Sequence, residues 1–311
     1  MKKSMRWISL GLMAALLLTG CGKNKGVSDE ELVSTDVFEG KYLVTADYAK
    51  EHVGDDNVLF VDCRGEDNAK KGTVEGAVAT TWQELCTCDE SYGKSGDEGW
   101  GKIPEASDLA ERLGKLGMTK EKEIILLGET LNGWGDDARV LWELVAAGYE
   151  NVKMVDGGYS AVEKAGAPTQ KGASDPTAAE VTIDSIDKTH VMETDELQNN
   201  YDEYKIVDVR TDEEYEGATK YNEAQGGHLP GAIHLRYTDL FREDGTLRSK
   251  ADIEKMLTDA GISKDDKIVT YCTGGIRSAY AQLVYEMAGY ENTWNYDQSY
   301  WRWAVVGDVE K

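Results

Sequence analysis

The chain repeats itself, and that repeat limits the folds open to it more than any other feature. Ala147-Gly148-Tyr149-Glu150-Asn151 recurs letter for letter at Ala288 to Asn292. Around this match the two halves align in order. Val58-Leu59-Phe60-Val61-Asp62-Cys63-Arg64 corresponds to Tyr204-Lys205-Ile206-Val207-Asp208-Val209-Arg210, and Glu75-Gly76-Ala77-Val78 to Pro230-Gly231-Ala232-Ile233. Ile124 to Leu127 corresponds to Ile268-Val269-Thr270-Tyr271, while Asp156 and Tyr159 correspond to Asp297 and Tyr300. Two domains of like fold are therefore expected.

Within each half, short β-branched apolar runs alternate with amphipathic stretches such as Leu109 to Leu116 and Ile253 to Ala260. The alternation predicts an α/β fold, with a mainly parallel sheet flanked by helices in each domain. Sheets of this kind bind ligands at the carboxyl ends of their strands. The residue just after each apolar run is the place to look for chemistry.

The expected boundaries follow composition. Residues 1–20 hold a basic start (Lys2, Lys3, Arg6) and an apolar run from Ile8 to Leu18, too short to span a membrane. They read as a signal peptide. Leu18-Thr19-Gly20-Cys21 resembles the bacterial lipobox, in which the cysteine is diacylated and becomes the mature N-terminus. The resemblance implies export and anchoring to a membrane through lipid on Cys21. Residues 21–40 are polar, without helical or strand periodicity, and read as a flexible tether. A first domain is expected over 41–168, a linker over 169–184 and a second domain over 185–311.

Loss of the three leader cations takes the net charge from −24 to −27. So acidic a surface repels phosphate backbones and excludes nucleic acid as a partner. Cys63, Cys86, Cys88 and Cys272 remain besides Cys21, too few for a disulfide scaffold. Cys63 follows an apolar strand and reads as a buried small hydrophobe. Cys86-Thr87-Cys88 has no partner pair of ligands, and the four histidines are scattered. No metal is expected.

Cys272-Thr273-Gly274-Gly275-Ile276-Arg277-Ser278 follows one apolar strand and opens a helical pattern. A thiol placed there meets the N–H groups and dipole of a helix N-terminus, which favour thiolate. Gly274 and Gly275 let the N–H groups curl into a nest. Arg277 adds a permanent charge and a planar fork of donors for an anion. The loop reads as a nucleophile in an anion cradle, with Cys272 catalytic and Thr273 to Ser278 binding substrate.

Here the chain resembles the rhodanese family, specifically its tandem-domain sulfurtransferases, from about Tyr42 to Val306. Four stretches carry the resemblance: Asp208-Val209-Arg210, Gly226-Gly227-His228-Leu229-Pro230-Gly231-Ala232, the Cys272 to Arg277 loop, and Asp297-Gln298-Ser299-Tyr300-Trp301. The family usually closes with a glycine-rich turn, as Asp156-Gly157-Gly158 does, and Gln298-Ser299 departs from it. Four residues separate Cys272 from Arg277, whereas related phosphatases keep five. The shorter loop resembles the sulfurtransferase version.

The resemblance implies transfer of sulfane sulfur from thiosulfate, or a related anionic donor, to a thiol or cyanide through a Cys272 persulfide, with no cofactor. A non-catalytic persulfide-binding module and a phosphatase-like hydrolase are the alternatives. Gly128 falls opposite Cys272 and is followed by Glu129, so the first domain is expected to be inactive. Asp208 and Arg210 are expected to brace the loop, since Asp62 and Arg64 persist in the inactive half. His228 is expected to hydrogen-bond within its turn. Trp301 and Trp303 fit either the pocket wall or the core, and Arg248 is a weak candidate for the donor.

Overall fold

The structure, a computed structural model, describes residues 34–311. The signal peptide, Cys21 and most of the expected tether lie outside the described residues.

The apolar runs form two five-stranded sheets of identical topology. The first has the order Leu43–Val44, Val152–Val155, Glu123–Leu127, Val58–Asp62, Val78–Ala79. The second has the order Val191–Met192, Thr293–Tyr296, Ile268–Tyr271, Lys205–Asp208, Ile233–His234. Every pairing within them is parallel. The central strand Ile268–Tyr271 is buried at all four positions, as expected where helices cover both faces. The two-domain α/β expectation holds.

The segment 169–184, expected as a linker, is a strap fastened to the first domain. Thr169–Gln170 pairs antiparallel with Thr73–Val74. Ser174 N–H donates to the Ala77 carbonyl and Ala179 N–H to that of Gly114. These are backbone bonds, which a polar composition does not reveal.

Two helices join the domains. Asp136–Ala146 and Ile276–Met287 pack on each other, and one apolar cluster spans both halves. Ile276–Met287 buries eleven of its twelve residues, so it is a core helix rather than an amphipathic surface one. The buried polar side chains near its start are matched: Ser278 donates to Asn295 Oδ1 at 2.6 Å, and Gln282 to Thr293 Oγ1 at 3.0 Å. The loop that precedes this helix opens at the seam between the domains.

Candidate active site

Cys272 sits one residue past the strand Ile268–Tyr271 and four before the helix begins. Its N–H donates to Ser299 Oγ at 3.1 Å, and its carbonyl accepts from Tyr300 N–H at 3.1 Å. Thr273 is pinned likewise, its carbonyl accepting from Trp301 N–H at 2.9 Å. The two glycines serve different ends. Gly275 has φ +87° and caps the helix in the left-handed region. Gly274 is required by contact, since a Cβ there would lie 2.2 Å from the Trp301 ring.

The Cys272 sulfur is buried and accepts the Gly275 N–H at 3.2 Å. Burial works against the thiolate. The Arg277 charge and hydrogen bonds from Ser278 and Gly274 outweigh it, and the thiol pKa falls below its ordinary value.

Arg277, expected to meet the donor's anion, lines the cleft above Cys272, and its fork is engaged by Glu214. Nη1 donates to Glu214 Oε2 and Nη2 to Oε1, both at 2.8 Å. Nη2 also reaches Thr273 Oγ1 at 2.9 Å, whose hydroxyl donates to Glu214 Oε1 at 2.7 Å. Burial alone would raise the Glu214 pKa, yet hydrogen bonds and charge from Arg277 hold it down at about 2. The result is a closed Glu214–Arg277–Thr273 triangle beside the thiol. Sequence reasoning missed Glu214 because Thr211-x-x-Glu214 reads as a capping box, which it also is. One signal was present: Glu214 aligns with Asn68, so the carboxylate disappears from the half that lacks the thiol.

Asp208 and Arg210 form a buried network beside the strand that leads to Cys272. Arg210 pairs with Asp208 at 2.6 Å, donates to the Gly227 carbonyl at 2.8 Å, and stacks 3.9 Å from the Tyr300 ring. Asp208 accepts from the hydroxyl of Tyr271, the residue before the thiol. Arg64 repeats this set with Asp62, Gly72 and Tyr159.

The first-domain loop ends differently. Counting back from the shared Ala-Gly-Tyr-Glu-Asn, Asp136 and Asp137 stand where Arg277 and Ser278 stand. A Cβ added at Gly128 would lie 2.1 Å from the Asp137 carboxyl, so a carboxylate fills the place of the thiol. Neither Asp137 oxygen has a hydrogen-bond partner of ordinary geometry among the described residues. Burial, with Asp136 nearby, raises its pKa to about 7.

That half nevertheless builds part of the site. Arg139, fully buried, pairs with Asp297 at 2.7 Å, and its Nη1 lies 3.4 Å from the Gly275 carbonyl. Gln298, where the family has glycine, donates to the carbonyls of Trp100 and Glu98, both at 2.9 Å. A cleft of about 270 Å³ above Cys272 is lined by both domains, including Trp82, Trp100 and Trp134 from the first and Tyr221, Arg277 and Trp301 from the second.

The remaining candidates fall elsewhere. His228 stacks on Tyr215 at 3.8 Å, with Nδ1 3.0 Å from the Tyr215 carbonyl. Trp303 lies in the core, and Arg248 donates to the Asp239 carbonyl outside the cleft lining. Cys63 is buried, which pushes its thiol pKa well up. Cys86 and Cys88 form a disulfide.

The family model for the rhodanese-like domain matches residues 45–165 and 193–305. A Mycobacterium bovis protein named "Putative thiosulfate sulfurtransferase 1" is 28% identical over 86% of this chain and 95% of its own length. A Haloferax volcanii protein, "Putative thiosulfate sulfurtransferase", is 25% identical over 86% of this chain and 96% of its own. Among solved structures, the anaerobic ergothioneine biosynthesis enzyme of Chlorobium limicola, in complex with trimethyl histidine, superposes with a TM-score of 0.75. It is 21% identical, and the match covers 87% of this chain and 70% of that one. The wild-type structure of EanB gives a TM-score of 0.75 at 20% identity, covering 87% and 69% of the two chains. With both halves matched by the same domain model, the chain belongs to the rhodanese family.

Proposed function

We propose that the protein is a sulfurtransferase that carries sulfane sulfur on Cys272. The observation that supports this most is the buried sulfur at the helix N-terminus, held by the Gly275 N–H and pushed toward thiolate. In the first step the thiolate attacks the outer sulfur of thiosulfate. The S–S bond of the donor breaks, and sulfite leaves with the electron pair. The loop N–H groups stabilise the anionic persulfide. An acceptor, cyanide or a thiol, then takes the outer sulfur and returns Cys272 to thiolate. Sulfur itself moves, so the reaction needs no cofactor. Arg277 acts by lowering the thiol pKa and by fixing Thr273 rather than as an open fork for the donor.

Mass spectrometry of the Cys272 peptide after thiosulfate treatment is the test. A gain of one sulfur, lost again on adding cyanide with release of thiocyanate, is the expected result. A persulfide that forms but never turns over would identify a binding module instead. Hydrolysis of phosphate esters without the mass gain would identify a phosphatase-like enzyme. Export and lipid anchoring through Cys21 belong to the same proposal. Cys21→Ala is expected to move the protein out of the membrane fraction or leave it unprocessed, and normal processing with unchanged membrane retention would reject the anchor.

A further inference from the structure

The cleft above Cys272 is walled by rings rather than by charges. Trp100 meets Trp301 edge to face with centroids 5.0 Å apart, and Trp134 meets Tyr221 in the same manner at 5.5 Å. Each pair joins an indole of the first domain to a ring of the second. Trp82 stands edge to face with Trp100 at 6.4 Å. Trp301 is fixed in place, because its Nε1 donates to the Tyr221 carbonyl at 2.8 Å. Among the described residues, Arg277 is the one ionic side chain in the lining, and Glu214 matches its charge.

Aromatic faces are negative in quadrupole and attract cations. A thiolate or persulfide at the floor adds a full negative charge. The chain's net charge of −24 favours a cation over an anion at the cleft mouth, so an anionic donor depends on the loop N–H groups rather than on the walls for its hold. The cleft, at about 270 Å³, is also many times the share of space one water takes in the liquid, about 30 Å³. It has room for an organic molecule.

We propose that the sulfur acceptor is a small thiol bearing a cationic ammonium head, an aminothiol or alkylammonium thiol. The inference rests on the sulfurtransferase reading and goes beyond it by naming the acceptor's chemistry. The ammonium group lies among Trp100, Trp134, Tyr221 and Trp301, and the thiol end reaches the floor. There the acceptor's thiolate attacks the outer sulfur of the Cys272 persulfide. A new S–S bond forms, the old one breaks, and its electron pair returns to Cys272 as thiolate. The acceptor leaves as its own persulfide. No external oxidant or reductant takes part, because the sulfane sulfur only changes carrier.

The experiment loads Cys272 with thiosulfate, confirms the added sulfur by mass, removes the donor, and follows a single turnover with three thiols. These are thiocholine, its neutral tert-butyl analogue and anionic mercaptoethanesulfonate, with rates expressed per thiolate present. Thiocholine is expected to be faster than the neutral analogue by about tenfold, with the sulfonate slowest. Trp134 is 40% exposed, so Trp134→Leu leaves the core alone and is expected to shrink the cation's advantage to about threefold or less. In parallel, choline is expected to protect unloaded Cys272 from iodoacetamide better than the neutral tert-butyl alcohol does. Equal or faster transfer to the neutral thiol, or an advantage untouched in Trp134→Leu, overturns the proposal. If Cys272 never gains sulfur, the sulfurtransferase reading fails, and the protection measurement still decides whether the cleft prefers cations.

Discussion

The loops after Glu123–Leu127 and Ile268–Tyr271 leave equivalent strand ends and enter equivalent helices, yet they reach opposite electrostatic states. In the second domain four residues separate Cys272 from Arg277, and Glu214 closes the triangle around the arginine. In the first, seven residues separate Gly128 from Asp136, and Asp137 occupies the aligned place of the thiol with no hydrogen-bond partner among the described residues. The strand-end braces survived unchanged, Asp62–Arg64 beside Asp208–Arg210. The duplicated fold therefore keeps this ion pair in the half that has glycine at the thiol's position. What distinguishes the two loops is a buried ion pair beside Cys272 in one and, among the described residues, a carboxyl group without a hydrogen-bond partner in the other.

The largest expected effect is the loss of all turnover in Cys272→Ser, with folding preserved. Residual activity above about a few per cent, measured as thiocyanate release, would transfer the chemistry to Cys63 or the Cys86–Cys88 pair; the scale is that of losing a nucleophile.

Glu214→Gln comes next. It leaves the Arg277 charge buried and unmatched, which is expected to cost about 3–5 kcal/mol in denaturant unfolding. The wild-type Glu214 carboxyl titrates at about 2 when folded, below its ordinary range. Its contribution is present above the unfolded pKa and is lost as pH falls toward the folded one. Stability should therefore drop with acid below about pH 4.5, the ordinary glutamate range, and that slope should be shallower in Glu214→Gln.

Asp137 reverses the sign. Its pKa is raised to about 7, so the folded state holds a proton that the unfolded state releases. Its effect on stability is most favourable below the ordinary aspartate range and is lost as pH rises toward 7. Asp137→Asn is expected to remove that loss, a gain of up to about 4 kcal/mol at neutral pH for a shift of about three units. Equal pH profiles for Asp137→Asn and the parent would break the comparison. The smallest effect is in Gly128→Cys. Restoring a thiol there collides with the Asp137 carboxyl, costs about 1–3 kcal/mol, and is expected to add no turnover to Cys272→Ser.

Much of this was legible from single stretches of chain. The strand, the glycines and the helix start place Cys272 by local geometry alone, and the internal repeat exposed the half that lacks the thiol. Glu214 was not legible, since it meets Arg277 across 63 residues and carries a second, local reason to be where it is. Gln298 and Ser299 looked like a broken turn. In the structure Ser299 keeps the positive φ of +53° that Gly158 has at +62°, and its Oγ accepts the Cys272 N–H. Gln298 clamps the first-domain segment that carries Trp100.

The sequence by itself determined the two-domain α/β fold, a thiol at one strand end and a glycine at the equivalent place in the other half. All of these depend on short-range periodicity and on hydrogen bonds between near neighbours. Only the tertiary structure decided that Arg277 is neutralised, that Arg139 reaches across to the Cys272 loop and that indoles of the first domain wall the cleft. Those outcomes depend on which buried charges and rings meet across a hundred residues or more, or across separate loops, and burial makes each pairing strong enough to redirect a side chain whose local pattern points elsewhere.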